Sequence, residues 1–492
     1  MLPRIGFSVL VVLLVTKVIG VIMRGPSPMV LDAGFYWELG GSVADGDWLL
    51  IQQPVAYRTP AYPWLIGLFR TVFADPLYAL VCFQGSLWIA TIGLTTAIAI
   101  DIFRDSRIAW IIVGVAAVMI SSVTYVSTVL TETLFVFLLM LHLWSVIRFT
   151  RQPSVLLGFA VGMTLGLAIL TRPVAMLLWI ADAIYMIISW YWIRDPSSTH
   201  LCLRRAKICA AMAVVVTVLC ISPWLARNHA LFGKVMMTEF VGRNVWIVTF
   251  QDGSGAGLNL PDSESTEGLR RQIGDVAWDV LRADDSWRDT WTVSRALTGS
   301  GMDDASADRL MKQIAADAIK GAPITFGKKT LRRCVNFWRT PATELPSQVA
   351  DLDPVTLESG DLFAGQPTWG VKVAPVDTFL RYRCSNWLAG NTLLMMLAAA
   401  STMLMLWRRR TRAVGLLLAA ILVYFSTVTA VLEIPAYRYR MIVEPIVLLV
   451  IALAIAPSLF LTAEPVPAEP VRSEPVRSEP VPNEPTRATQ PE

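Results

Sequence analysis

Four arginines stand where a membrane chain usually avoids cations. Arg58 lies in Tyr57-Arg58-Thr59-Pro60-Ala61-Tyr62-Pro63, and Arg172 in Thr171-Arg172-Pro173. Arg438 and Arg440 alternate in Tyr437-Arg438-Tyr439-Arg440. Each sits in a Pro- or Tyr-containing motif at the edge of an apolar run. A cation kept where insertion disfavours it usually has an anion to hold. A guanidinium suits phosphate because its fork donates two hydrogen bonds at once, and prolines fix the backbone that aims it. Two acids share these edges. Asp32 opens Asp32-Ala33-Gly34-Phe35-Tyr36, and over a helical 31–40 it shares a face with Tyr36. Glu132 starts Glu132-Thr133-Leu134-Phe135. The set suits transfer from a phosphate leaving group: a carboxylate takes a proton while arginines hold the charge that develops. Plainer readings exist. Asp32 could cap a helix, Glu132 could pair with a neighbouring arginine, and Arg227 and Trp224 could anchor a span at the interface.

The elements that position these residues are membrane spans. The 492-residue chain is 54% hydrophobic and 16% charged, with mean hydropathy +0.54. Soluble domains do not look like this. A formal charge of +4, dispersed along the chain, excludes nucleic acid as a partner. Ten candidate spans are predicted: 5–23, 77–100, 108–126, 130–148, 155–170, 174–193, 207–225, 389–407, 413–431 and 441–461. The first ends without a small-residue cleavage pattern and reads as retained. Arg104 and Arg107, Arg148 and Arg151, Arg204 and Arg205, and Arg408–Arg410 fall in alternate loops, which predicts an inner or plasma membrane protein with both termini cytoplasmic. The motif arginines then lie on the extracytoplasmic side.

Four regions follow. Residues 1–225 form a membrane module whose first outer loop, 24–76, carries Asp32 and Arg58. Within it, Ala61–Phe73 is apolar, too short to span, and predicted interfacial. Residues 226–388 are a mainly helical insert, with helices expected over Thr266–Leu281 and Asp308–Ile319 and a membrane-surface segment over Lys328–Trp338. Residues 389–461 hold the last spans, and 462–492, repeating Glu-Pro-Val, form a disordered cytoplasmic tail. Cys334 and Cys384 share the insert without metal-ligand spacing. Lys17 and Asp182, inside spans, are expected to pair with each other or with other helices; His142 is expected far from the site. No His, Cys and acid set has metal spacing; Asp32 and Glu132 are the two acids a divalent cation would use. No phosphate-cradling glycine loop or Gly-x-Ser-x-Gly elbow is present.

Together these motifs resemble the GT-C superfamily of membrane glycosyltransferases, in the bacterial branch related to protein O-mannosyltransferases and lipid A aminoarabinose transferases. The resemblance runs through the Asp32, Arg58, Glu132, Arg172 and Arg438 motifs and through Pro223-Trp224-Leu225-Ala226-Arg227-Asn228. It implies an all-α polytopic membrane fold, a GT-C-like bundle of about ten or more transmembrane helices. It implies a polyprenyl-phosphate-linked sugar donor, transfer with inversion, and Asp32 as the catalytic base. Tyr36, Tyr57, Arg58, Tyr62, Glu132, Arg172, Arg438 and Arg440 are then expected to bind substrate. Ala33 follows Asp32 where protein mannosyltransferases carry a second acid, so the acceptor stays open among lipid, glycan and protein. Two other classes fit the same cations: a lipid-linked sugar transporter or flippase, and a ligase or polymerase of diphosphate-linked glycans.

Overall fold

Apolar length sets the architecture. The structure, a computed structural model, describes residues 2–460 except 53, 119–121, 191–198, 252–257, 340–391 and 410. Every regular element among the described residues is helical. Six helices are long and apolar enough to cross a membrane: Ile5–Met23, Pro76–Phe103, Glu132–Arg151, Arg204–Phe232, Arg412–Leu432 and Tyr437–Pro457. Four shorter apolar helices accompany them, at Ile108–Ala117, Val155–Thr171, Pro173–Ile188 and Met396–Trp407. The ten predicted runs are therefore mainly helical over their described residues, and six of them carry a helix long enough for a full crossing. At ~1.5 Å per residue an 11-residue helix spans only about half of a bilayer core.

The helices, in chain order, are α1 Leu2–Met23, α2 Asp32–Ala44, α3 Ala61–Val72, α4 Pro76–Phe103, α5 Ile108–Val118, α6 Glu132–Arg151, α7 Val155–Thr171, α8 Leu178–Ile188 and α9 Thr199–Phe232. Within the predicted span 108–126, α5 covers Ile108–Val118, and Ser122–Ser127 winds as a 3-10 turn whose Ser127 bonds Ser27. Packing against α9 explains the glycines of α7. A Cβ on Gly162 would lie 2.4 Å from the Ala213 carbonyl oxygen, so only glycine permits this approach.

The first loop forms a helical hairpin. A Cβ on Gly40 would lie 2.2 Å from Ile66 Cγ2, and one on Gly67 2.4 Å from Val43 Cγ1, so α2 and α3 cross at contact. Trp48, Leu49, Ile51, Leu68, Val72 and Phe73 remain exposed beside this hairpin, as an interfacial element requires.

The insert continues with α10 Val241–Trp246, α11 Glu264–Ile273, α12 Asp275–Ala283, α13 Thr290–Gly299, α14 Asp304–Gly321 and α15 Pro323–Arg339, around its own core of Trp246, Phe250, Trp287, Leu297, Met311 and Ile314. The predicted 266–281 helix is two helices, because Gly274 adopts φ 83°. Lys328–Trp338, expected at the membrane surface, turns two of its cations inward. Lys329 and Arg333 are buried, donating to the carbonyls of Thr249, Ala430 and Val248. Cys334 is a free thiol; Cys384 and the tail lie outside the described residues.

The bundle closes with α16 Thr392–Trp407, α17 Arg412–Leu432, α18 Tyr437–Arg440 and α19 Glu444–Phe460. Of the two expectations for Lys17 and Asp182, pairing with other helices is the one observed. Lys17 donates to the Ala117 carbonyl, whereas Asp182 accepts from His142 Nε2 at 2.9 Å. Thr164 lies 3.1 Å from the other ring nitrogen, so three helices share one buried polar junction.

Candidate active site

Three segments remote in sequence meet at Asp32. Its carboxylate begins α2, and each oxygen takes one guanidinium: Oδ1 lies 2.5 Å from Arg58 Nη2, and Oδ2 2.9 Å from Arg438 Nη1. Asp32 and Arg438 are 406 positions apart in the chain. Burial alone would push the Asp32 carboxyl up, but the Arg438 and Arg58 charges outweigh it and hold the group well below the usual carboxylate range. The site is not sealed, since the side chains of Asp32 and Arg438 keep 29% and 33% exposure.

Local sequence explains the aim of each group. Arg58 follows α2 on a chain that Pro60 turns into α3, and its guanidinium packs over the rings of Tyr36, Tyr57 and Phe35 at 4.9, 5.1 and 5.5 Å. The Thr59 hydroxyl donates to the Thr171 carbonyl at 3.0 Å, which joins the Arg58 and Arg172 motifs. Arg172 interrupts the chain between α7 and Pro173, and its Nη1 lies 2.8 Å from Glu132 Oε1. Tyr439 joins the two pairs: Arg438 donates to its hydroxyl at 2.6 Å, and Arg172 lies 5.9 Å from its ring.

The insert is tied to the same loop. Tyr57 stacks between Phe35 and Phe240, at 5.8 and 5.4 Å. The Ala56 amide donates to Asp304 Oδ2 at 2.9 Å, while Arg243 pairs with that same carboxylate and lies over the Tyr57 ring. Arg227 does more than anchor a span. It donates to the carbonyls of Leu49, Leu50 and Val55, clamping the loop to α9.

Of the expected site residues, Asp32, Tyr36, Tyr57, Arg58, Glu132, Arg172 and Arg438 gather here. Two do not. Tyr62 meets the cluster only through the Tyr36 ring at 5.5 Å; it is fully buried and donates to Gln84 at 2.9 Å, so it braces α3 against α4. Arg440 has no exposed surface; it faces Glu444 at 3.8 Å, the Trp338 carbonyl and the Tyr437 ring. Alternation in Tyr-Arg-Tyr-Arg hid this, because adjacent helical residues point to different sides. Sequence reading also passed over Tyr439, Arg243 and Glu433. Glu433 closes α17 two residues before Pro435; an acid ending an apolar span was the available signal.

Among the described residues no three His, Cys, Asp or Glu are placed to share a metal ion. Asp32 and Glu132 are each committed to arginine, and guanidinium charge repels a cation, so these acids do not fit a divalent metal as arranged.

The fold and site define a polytopic helical membrane protein with a part-exposed carboxylate–arginine cluster at the ends of its helices and the loops between them. Residues 57–226 match the family described as dolichyl-phosphate-mannose-protein mannosyltransferase. That stretch carries Arg58, Glu132 and Arg172; Asp32 and Arg438 lie on either side. Two crystal structures of ArnT from Cupriavidus metallidurans are similar to the chain at 16% identity, one bound to undecaprenyl phosphate and one in the apo state. They cover 94% and 90% of this chain and 81% and 76% of their own, with TM-scores of 0.37 and 0.35. No curated protein matches the chain.

Proposed function

We propose that this protein is an integral membrane glycosyltransferase of the GT-C type, moving a sugar from a polyprenyl-phosphate-linked donor to a hydroxyl of an extracytoplasmic lipid, glycan or protein. The observation that carries the reading is the part-exposed Asp32 carboxylate held between Arg58 and Arg438. The match of residues 57–226 to a dolichyl-phosphate-mannose-dependent family supports the donor class.

The ion pairs suggest an order of events. With both arginines on its oxygens, Asp32 is a weak base. A phosphate entering the pocket competes for the same guanidinium forks. As Arg58 and Arg438 turn part of their charge to it, Asp32 regains basicity. The carboxylate then takes the proton of the acceptor hydroxyl, whose oxygen attacks the anomeric carbon. The carbon–oxygen bond to phosphate breaks, and its electron pair stays on the phosphate, facing the arginines. Attack opposite the leaving group inverts the linkage. Arg172, with Glu132, flanks the pocket and supports the same phosphate.

The loop charges favour an active pocket outside the cytoplasm of an inner or plasma membrane, with both termini inside. The test is transfer by purified protein in liposomes, using labelled polyprenyl-phosphate sugars and envelope extract, beside mass spectrometry of envelope glycans from a strain lacking the protein. A labelled glycosidic product and a missing envelope sugar are expected. Lipid movement without a glycosidic bond would overturn the reading in favour of a transporter.

A further inference from the structure

Three aromatic residues beside the carboxylate–arginine cluster serve no buried core. Among the described residues, Tyr57, Phe240 and Trp291 lie outside the hydrophobic clusters of the bundle and of the insert. Each keeps part of its surface open. They pack on one another instead. The Tyr57 ring lies 5.4 Å from Phe240 and 5.8 Å from Trp291, and Phe240 lies 6.1 Å from Trp291. Phe35, three residues after Asp32 on α2, extends the row by stacking on Tyr57 at 5.8 Å. The row therefore begins about one helical turn from the carboxylate and ends on α13 of the insert. One ring separates Trp291 from Arg58, since Tyr57 lies 5.1 Å from that guanidinium.

The polar tips of this row set it apart from ordinary packing. The insert's buried Trp246 and Trp287 both spend their indole N–H on protein acceptors, the carbonyls of Trp287 and Arg288 and the Asp285 carboxylate. The Trp291 N–H and the Tyr57 hydroxyl make no hydrogen bond among the described residues. Part-exposed ring surface with two unspent polar groups at its rim is a surface made for a ligand that is apolar on its face and polar around its edge.

We propose that Trp291, with the Tyr57 hydroxyl, forms a subsite for a saccharide ring of the acceptor, so that the hydroxyl glycosylated at Asp32 belongs to a sugar. This rests on the glycosyltransferase reading above and narrows its acceptor. The C–H face of a sugar ring carries partial positive charge and lies on the negative face of an aromatic ring, while its hydroxyls both accept from an indole N–H and bond a phenol. An acyl chain would cover the same rings and leave both tips unpaired, at a cost. An extended peptide is commonly held by adding a strand to a sheet edge, and every regular element among the described residues is helical. In the transfer, the acceptor-sugar oxygen bonds the donor's anomeric carbon, its proton passes to Asp32, and the carbon–oxygen bond to phosphate breaks with its electron pair left on phosphate.

The test uses the full chain in liposomes, with labelled polyprenyl-phosphoryl mannose and envelope extract, and locates the label in the product by tandem mass spectrometry. The label is expected on a saccharide residue, of a free glycan or of a glycolipid. Label on a Ser or Thr side chain, or on a lipid hydroxyl that belongs to no sugar, overturns the proposal and leaves the glycosyltransferase reading standing. Absence of any glycosidic product overturns both. Variants then test the residues. Trp291→Leu is expected to raise the acceptor KM about tenfold with donor Kd unchanged, and Trp291→Phe, which keeps a ring, to stay within about threefold of wild type. Tyr57→Phe keeps the stack, removes the hydroxyl, and is expected to raise the acceptor KM about fivefold. Trp291→Leu with a wild-type acceptor KM overturns the subsite; should that variant not fold, Tyr57→Phe with a wild-type KM does so in its place. A change confined to unfolding temperature or donor Kd also overturns it, because that is what a purely structural stack would give.

Discussion

Arg438 and Arg440 are two residues apart and live in opposite surroundings. Arg438 reaches across the molecule to Asp32 and stays one-third exposed; Arg440 turns inward to Glu444, four residues on, and is sealed. Both are arginine–carboxylate pairs at the start of one apolar helix. The difference is access. A charge that a ligand can touch can be exchanged during a reaction, whereas a charge closed off on all sides holds the fold. The Tyr437 hydroxyl completes the inner nest by donating to Glu444 at 3.0 Å, and Tyr439 completes the outer one by accepting from Arg438.

Mutations can break this contrast. Asp32→Asn keeps the shape and removes the base, so transfer should fall by about 10³ while donor binding survives, read as kcat against Kd. Unchanged kcat would remove Asp32 from the base role. The same variant has a pH signature. The Asp32 pKa is depressed, so its ion pairs contribute stability above the ordinary carboxylate value and lose it as the medium acidifies. The unfolding difference between wild type and Asp32→Asn should shrink in acid. Arg440→Met leaves Glu444 buried without its cation and should cost about 3–5 kcal/mol of stability. The double variant Arg440→Met/Glu444→Leu should recover much of that loss, and a double variant as unstable as the single would contradict the inner-nest assignment. Arg438→Ala should lower kcat about 10²-fold with a small change in unfolding temperature. If Arg438→Ala unfolds the protein and Arg440→Met spares it, the contrast is inverted.

Two smaller changes sharpen the picture away from charge. Gly67→Ala drives a methyl into Val43 and should cost about 2 kcal/mol, with a parallel loss of kcat because α2 carries Asp32. Tyr62→Phe leaves Gln84 short of a donor inside the bundle and should cost about 1 kcal/mol without changing kcat. A kcat effect in Tyr62→Phe as large as that in Arg438→Ala would return Tyr62 to the substrate-binding group.

Much of this was readable in the chain because a bilayer penalises charge. The ten apolar runs are mainly helical over their described residues, and five charges at their edges and in the first loop, at positions 32, 58, 132, 172 and 438, converge. What stayed hidden is pairing and direction. Nothing local says that Asp182 meets His142 rather than Lys17, because buried polar groups find partners across helices, not along the chain. Arg440 looked equivalent to Arg438 because both share one motif; only the helical rotation separates them. Glu433 read as an ordinary end to α17. The insert was least legible. Its polar helices carry little membrane signal, and the break at Gly274 rests on a backbone angle that periodicity does not record.

The Asp304 carboxylate takes the amide of Ala56, two positions from Arg58 along the backbone, and is itself gripped by Arg243. A displacement of the insert would thus reach Arg58 through two hydrogen-bonded groups and a stacked ring. Under the proposed function, the insert would act as a lever with a very short arm on the donor site, and a chain trimmed of it would lose what aims Arg58.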